Sequence, residues 1–297
     1  MGVIKEFNQI YNRSSKRHDL WKTYRNTLTS YIIDKIDKNP NKINNLLIIA
    51  AGNCDDLDIS KIHQKTTKLY LSDIDIQALK KAVSTYSLID KNIKLLQTEY
   101  TGLDKNNIWN NFVKTMITLN NVDDINKYLD KLKDQIISYQ FLSNYINYFD
   151  LIIVSPIYTQ LLFQQLLNYI TILSNLNYPI ELINHIKSYF LDFMPLVIHK
   201  FNQNVLHLLK DKGTLIVISD IFEFKKDTQL YNDISPLLNS KNSMDKYYQD
   251  YLKKYGFGLG DFGLYDLKDK LTIISYKWME WPFSKSTSMF VKVIAYN

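Results

Sequence analysis

The sequence predicts an α/β fold: a doubly wound sheet, mostly parallel, with helices on both faces. Three observations carry that prediction. Across residues 45–98 strand and helix signals alternate, giving three βα-type repeats. The runs Leu46–Ala51 and Leu151–Val154 are continuously apolar, as strands covered on both faces are. Near the end, Leu271–Trp278 and Ser288–Tyr296 alternate in polarity across a short link, which reads as an antiparallel hairpin closing the sheet.

The elements follow in order. Residues 13–37 place Trp21, Tyr24, Leu28, Tyr31 and Ile32 on one side at helical spacing, an amphipathic helix that Asn39-Pro40-Asn41 ends. The first strand is expected from Asn45 to Ala51, with a helix starting near Cys54 or Asp55, where Asp55 and Asp58 resemble an acidic capping box. Lys68–Asp73 reads as the second strand, Asp75–Leu88 as a helix, and Asn92–Thr98 as the third strand, ending at Glu99-Tyr100-Thr101-Gly102. Residues 105–148 turn helical over a span longer than an ordinary αβ connection, so they read as a helical insertion. Phe149–Val154 is the fourth strand. Helical patterns then run to Leu209, Lys210–Gly213 is a turn into a fifth strand at Thr214–Ser219, and Lys241–Tyr255 is a helix. The expected division is an N-terminal helical lid, residues 1–42, and a main domain, residues 43–297.

Composition bounds the function classes. The chain has 297 residues, 46% of them hydrophobic, enough to bury a sizeable core. No apolar run is long enough to span a bilayer and no charged-then-apolar leader opens the chain, so a soluble, cytoplasmic protein without a membrane partner is expected. The opening Met-Gly-Val-Ile-Lys-Glu lacks the Ser or Thr of a myristoylation pattern. A single cysteine, Cys54, excludes an internal disulfide and a cysteine metal cluster. The five histidines show no metal-ligand spacing, so no metal is expected. The net charge of +6 comes mostly from scattered lysine, which suits solubility and mildly favours an anionic partner.

The stretch Leu46–Leu57 followed by Leu69-Tyr-Leu-Ser-Asp73 carries the chemistry. A buried strand, a tight turn, a helix and a second strand ending in an acid are how an α/β sheet holds an adenosine, the acid accepting from ribose hydroxyls. Asp73 fills that role, with Asp75 left to begin the next helix as its N-cap. The order of elements over residues 43–297 resembles the class I S-adenosylmethionine-dependent methyltransferases, whose fold is Rossmann-like. Their Gly-x-Gly-x-Gly turn aligns with Ala50, Gly52 and Cys54, so only the middle glycine is retained, and the acid usual two residues earlier is Ile48.

The resemblance implies S-adenosylmethionine as cofactor, held by Ala50, Ala51, Gly52, Asp73, Ile74, Glu99, Tyr100, Ser155 and Pro156. Glu99 stands where the family commonly bonds the adenine amino group. Ser155-Pro156-Ile157-Tyr158 is similar to the Ser/Asn/Asp-Pro-Pro-Tyr motif of methyltransferases that modify amino groups, with Ile157 replacing the second proline. It makes Tyr158 the candidate catalytic side chain, although Ser-Pro also fits a plain strand-to-helix turn. The chemistry implied is direct displacement onto a small-molecule acceptor. A nucleic-acid acceptor, a cofactor-binding protein without transferase activity and an NAD-dependent dehydrogenase stand as alternatives.

Two further patterns stand in the sequence. Arg13, Arg17, Trp21 and Arg25 recur every four residues and share a helical face. Trp21, Tyr24 and Arg25 are therefore candidate lid or substrate residues, against a solvated charged face as the plain alternative. Gly258-Leu-Gly260-Asp-Phe-Gly263 matches Gly-x-Gly-x-x-Gly, but too little chain follows it for a βαβ unit, so a flexible loop is expected there.

Overall fold

The computed structural model describes residues 17–88, 90–105 and 107–297; Arg13 lies outside them. The elements in chain order are α1 (Arg17–Leu20), α2 (Lys22–Asp37), β1 (Asn45–Ile49), α3 (Ile59–His63), β2 (Lys68–Asp73), α4 (Ile76–Thr85), β3 (Ile93–Gln97), α5 (Ile108–Met116), α6 (Val122–Ser138), β4 (Phe149–Val154), α7 (Phe163–Asn175), α8 (Ile180–Leu208), β5 (Leu209–Lys225), α9 (Gln229–Ile234), α10 (Lys241–Tyr255), α11 (Leu259–Lys268), β6 (Ile273–Trp281) and β7 (Thr287–Tyr296).

The seven strands form one sheet in the order β3-β2-β1-β4-β5-β7-β6. The first five are parallel, and β7 runs antiparallel to both β5 and β6. Chain order reverses between β1 and β4, whose ends are paired Ile49 to Val154. In an open sheet of this kind the crevice outside the carboxyl ends at the reversal is where a ligand fits.

Side-chain alternation along β1 explains why its residues must be apolar throughout. Leu46 and Ile48 point into a core shared with Leu28 and Ile32 of α2 and Leu79 of α4. Leu47 and Ile49 point the other way, into a larger core with Trp109, Phe112, Phe190 and Phe201. All four β1 side chains are fully buried, each stabilising the fold by about 1.5–3 kcal/mol.

Four sequence expectations shift. The N-terminal helix breaks at Trp21, whose backbone leaves the helical region (φ −91°, ψ 5°), so α1 and α2 are separate. The helix after β1 starts only at Ile59, capped by Asp58, whose carboxylate accepts from Lys61 N–H at 3.2 Å; residues 54–58 form a non-helical loop. Strand β5 starts at Leu209, paired to Phe149 with a register shift, and extends to Lys225.

The fourth shift is the Gly258–Gly263 segment, which is no loop: it caps and begins α11. Its glycines serve close packing. A Cβ at Gly260 would stand 2.4 Å from the Asp220 carbonyl oxygen, and one at Gly263 would stand 2.2 Å from the Tyr158 ring. Only a bare backbone lets α11 lie this close to β5 and to the start of the β4–α7 connection.

Candidate functional site

A cleft opens at the carboxyl ends of β1, β2 and β4, as the strand reversal requires. Its floor is the turn after β1. Ala50, Gly52 and Cys54 all take left-handed backbone angles (φ 56°, 50° and 53°), the three positions aligned with the family's glycines. Glycine adopts this region freely; an L-residue does so at roughly 1–2 kcal/mol. Backbone donors hold the turn: Ala50 N–H reaches the Tyr100 hydroxyl (3.1 Å), Ala51 N–H the Ser72 carbonyl (3.0 Å) and Gly52 N–H the Asp73 carboxylate (2.8 Å). A Cβ built on Gly52 meets nothing within 4 Å, so this backbone faces open cleft.

Asp73 closes β2 beside that turn. Its second oxygen accepts from Asp75 N–H at 2.9 Å, while Asp75 caps α4 through Gln77 and Ala78, the division expected from sequence. Backbone donors thus occupy part of the roughly four acceptor sites on the Asp73 carboxylate and leave capacity for a further hydrogen bond. Burial pushes its pKa up, against the backbone donors that favour the charged form. Ile74 lines the cleft next to it.

Glu99 also lines the cleft, but its carboxylate is turned to its own loop, accepting from the backbone N–H groups of Thr101 and Gly102. It braces the loop after β3, and burial raises its pKa. Tyr100 supports the floor: its hydroxyl meets both Ala50 N–H and Ser72 Oγ (2.9 Å), and its ring packs edge-on to Phe141 and Phe201.

The wall after β4 contains Ser155, Pro156, Ile157, Gln160, Leu161 and Gln165, with Trp109 of α5 alongside. Ser155 is fixed through its N–H to the Ile49 carbonyl (3.1 Å), yet its Oγ is buried with no hydrogen-bond partner, as is Gln165 Oε1.

Tyr158, the candidate catalytic residue, is not in this wall. It is fully buried, its hydroxyl donates to Asn202 Oδ1 (2.9 Å), and its ring fills the notch that Gly263 leaves. The tyrosine of Ser-Pro-Ile-Tyr is thus a core residue tying the segment after β4 to α8 and α11.

The opposite wall joins α1 to the β6–β7 hairpin. Arg17, Trp21, Trp281 and Phe283 line it; Trp21 and Trp281 meet edge to face at 4.9 Å, and Tyr24 stacks on Trp281 from behind at 5.6 Å. Of the three candidate lid residues only Trp21 reaches the cleft. Arg25 is 6% exposed and its Nη1 donates to two carbonyl oxygens, His18 at 2.8 Å and Asp55 at 2.9 Å. It braces the loop after Gly52 from beneath, as do Thr29 Oγ1, which accepts from Asp58 N–H, and the Tyr86 hydroxyl, which donates to the Leu57 carbonyl. The four-residue spacing placed Arg25 on a helix correctly, but the break at Trp21 and the loop packed below decide which way it faces. Sequence reading missed Trp281 and Phe283, which hairpin register alone brings to the cleft.

The electrostatics are one-sided. Asp55, Asp56, Asp73, Asp75, Glu99 and Asp104 line the cleft, and among the described residues Arg17 is the one basic side chain there. Burial pushes Asp56 up to about 6 and raises Asp55. Burial, then the charge of Asp56, pushes the Cys54 thiol well up, which keeps it protonated and unreactive. Among the described residues no group of three or more His, Cys, Asp or Glu is placed to hold a metal, and no helix is long and apolar enough to cross a membrane.

No protein-family model and no curated protein matches the sequence. Solved structures are similar in chain trace. The N-methyltransferase NodS of Bradyrhizobium japonicum, in complex with S-adenosyl-L-homocysteine, is 10% identical with a TM-score of 0.42, over 92% of this chain and 86% of that one. The PH0226 protein of Pyrococcus horikoshii is 11% identical, TM-score 0.45, over 98% of both chains. A SAM-dependent methyltransferase of Methanosarcina mazei is 12% identical, TM-score 0.42, over 89% and 95%. At these values the functional reading rests on the chain's own residues.

Proposed function

We propose that the protein is an S-adenosylmethionine-dependent methyltransferase acting on a small-molecule acceptor. The observation that carries this reading is the turn Ala50-Ala51-Gly52-Asn53-Cys54. It keeps three left-handed positions where the family has glycines, although two of the glycines are gone, and it is tied by Gly52 N–H to the acid closing β2. An alanine and a cysteine held in this costly conformation indicate that the backbone path is retained because a ligand approaches it.

The residues present fit the cofactor. Asp73 has acceptor capacity left for ribose hydroxyls, and the space over Gly52 admits a close backbone approach. Tyr100 and Ile74 would flank the adenosine, and Ala50, Ala51, Ser155 and Pro156 the methionine portion. When bound, S-adenosylmethionine supplies a methyl group already activated on a sulfonium. The protein's own work is then alignment and exclusion of water, which the aromatic wall of Trp21, Trp281 and Phe283 performs on one side and Trp109 and Leu161 on the other. The lid role passes from Tyr24 and Arg25 to Arg17 and Trp21.

Calorimetric titration with S-adenosylmethionine, S-adenosylhomocysteine and NAD tests the reading. Binding of the two sulfur compounds, weakened at least tenfold by Asp73→Asn, is expected; selective binding of NAD overturns it.

A further inference from the structure

The cleft carries a second pattern, which rests on the methyl-transfer reading and concerns the acceptor. Six acidic residues and, among the described residues, one basic residue, Arg17, line the cleft; Asp73, Asp75 and Glu99 are engaged by backbone donors, and Asp55, Asp56 and Asp104 add to the acidic lining. Two polar atoms in the wall after β4 are buried without partners: Ser155 Oγ, in a residue 4% exposed, and Gln165 Oε1, in a residue 6% exposed. A third, Asn53 Oδ1, is unpartnered on the turn after β1. Gln165 Oε1 and Asn53 Oδ1 only accept and Ser155 Oγ can accept, whereas the unpartnered atom on the opposite wall, Trp281 Nε1, donates, so what completes the wall after β4 is a ligand that brings N–H donors to it. Trp109 on one wall and Trp21, Trp281 and Phe283 on the other offer further surface attractive to a cation.

We propose that the acceptor is an amine and that it is methylated on nitrogen. The amine enters neutral, its proton left in solvent. The nitrogen lone pair forms the bond to the methyl carbon as the carbon–sulfur bond breaks, its electron pair returning to sulfur and leaving a thioether. Positive charge thereby moves from sulfur to nitrogen without leaving the cleft, and an acid-lined wall stabilises it at both places. A carboxylate, phenolate or nucleic-acid phosphate would have to approach the same carboxylates as an anion, so the wall that favours an amine rejects them. Gln165 and Ser155 accept the N–H bonds that orient the nitrogen, a task an alcohol or thioether acceptor would not need from two acceptors.

The test uses the full chain saturated with S-adenosylhomocysteine and three probes of similar shape: 2-phenylethylamine, 2-phenylethanol and 3-phenylpropionate. The amine is expected to bind at least tenfold more tightly than either analogue by calorimetry. With S-adenosylmethionine, mass spectrometry should find the new methyl group on nitrogen. Gln165→Leu and Ser155→Ala should each shrink the amine's advantage at least threefold. Equal or tighter binding of the alcohol or the carboxylate, no binding of the amine, or methylation of a single-stranded RNA oligonucleotide in its place overturns the proposal. S-adenosylhomocysteine binding in those cases leaves the methyl-transfer reading standing, whereas failure to bind it removes that reading as well.

Discussion

Substitution at Ala50 and Cys54 gives effects of opposite sign from one backbone conformation. Relief of left-handed strain is worth about 1–2 kcal/mol at either position, and glycine gives back about 0.5–1 kcal/mol through the extra freedom of the unfolded chain. Ala50 is only partly buried and its side chain is one methyl, so Ala50→Gly should stabilise the fold by about 0.5 kcal/mol. Cys54 is 1% exposed and packed among Ala51, Leu57 and Ile59. Removing its side chain leaves a cavity costing about 2 kcal/mol, so Cys54→Gly should destabilise by about 1–2 kcal/mol net. Ala50→Val supplies the large control, because a β-branched residue at φ 56° should lose about 2–3 kcal/mol. Urea unfolding with a constant m-value reads all three. A destabilising Ala50→Gly together with a tolerated Ala50→Val would show that residue 50 is not left-handed, and would remove the main support for the cofactor reading.

Arg25→Ala should lower stability by about 1–3 kcal/mol, since two part-buried carbonyls lose a charged donor, and should weaken cofactor binding through the loosened 52–58 loop; unchanged thermal stability would contradict the bracing role. Asp56 has a folded pKa near 6, above that of an unfolded aspartate, so its contribution to stability is fully present below the unfolded value and is lost as pH rises through 6. Asp56→Asn should therefore gain on wild type by up to about 3 kcal/mol between pH 4 and pH 7.5; a constant difference across that range would count against a buried carboxylate. Gly263→Ala should cost at least about 2 kcal/mol, because its Cβ would overlap the Tyr158 ring, and chemical denaturation showing no loss would contradict the packing of α11.

The parts of the fold legible in the sequence are those whose causes are local. Strands β1 and β4 declared themselves because burial on both faces forces an unbroken apolar run, and Asp75 was separable from Asp73 because an N-cap precedes its helix by a fixed offset. The failures have distant causes. Glycine at 260 and 263 looks like loop chemistry until Asp220 and Tyr158, far away in the chain, are seen to occupy the space a Cβ would need. Arg25 has the periodicity of an exposed face, yet the Asp55 carbonyl takes its guanidinium. Trp281 and Phe283 carry no motif, and only the pairing of Trp281 with Met289 turns that end of the hairpin toward the cleft.

The eroded glycine turn shows most plainly what a motif records. Against the Gly-x-Gly-x-Gly pattern that it resembles, the turn matches one glycine of three, yet all three positions take left-handed backbone angles. What maintains the path is the set of donors fixing it: Ala50 to Tyr100, Ala51 to Ser72, Gly52 to Asp73. Asp73 holds the floor with one oxygen through Gly52, and under the proposed function it also accepts from the cofactor, so its replacement should then lower stability and affinity together. Tyr100 does only the first, with a hydroxyl already occupied by Ala50 and Ser72. Tyr100→Phe, which leaves Ala50 N–H without its acceptor, should therefore cost about 1–3 kcal/mol of stability, with loss of affinity following only from the loosened turn. Comparing the two substitutions separates the residue that shapes the turn from the one that also reads what lies above it.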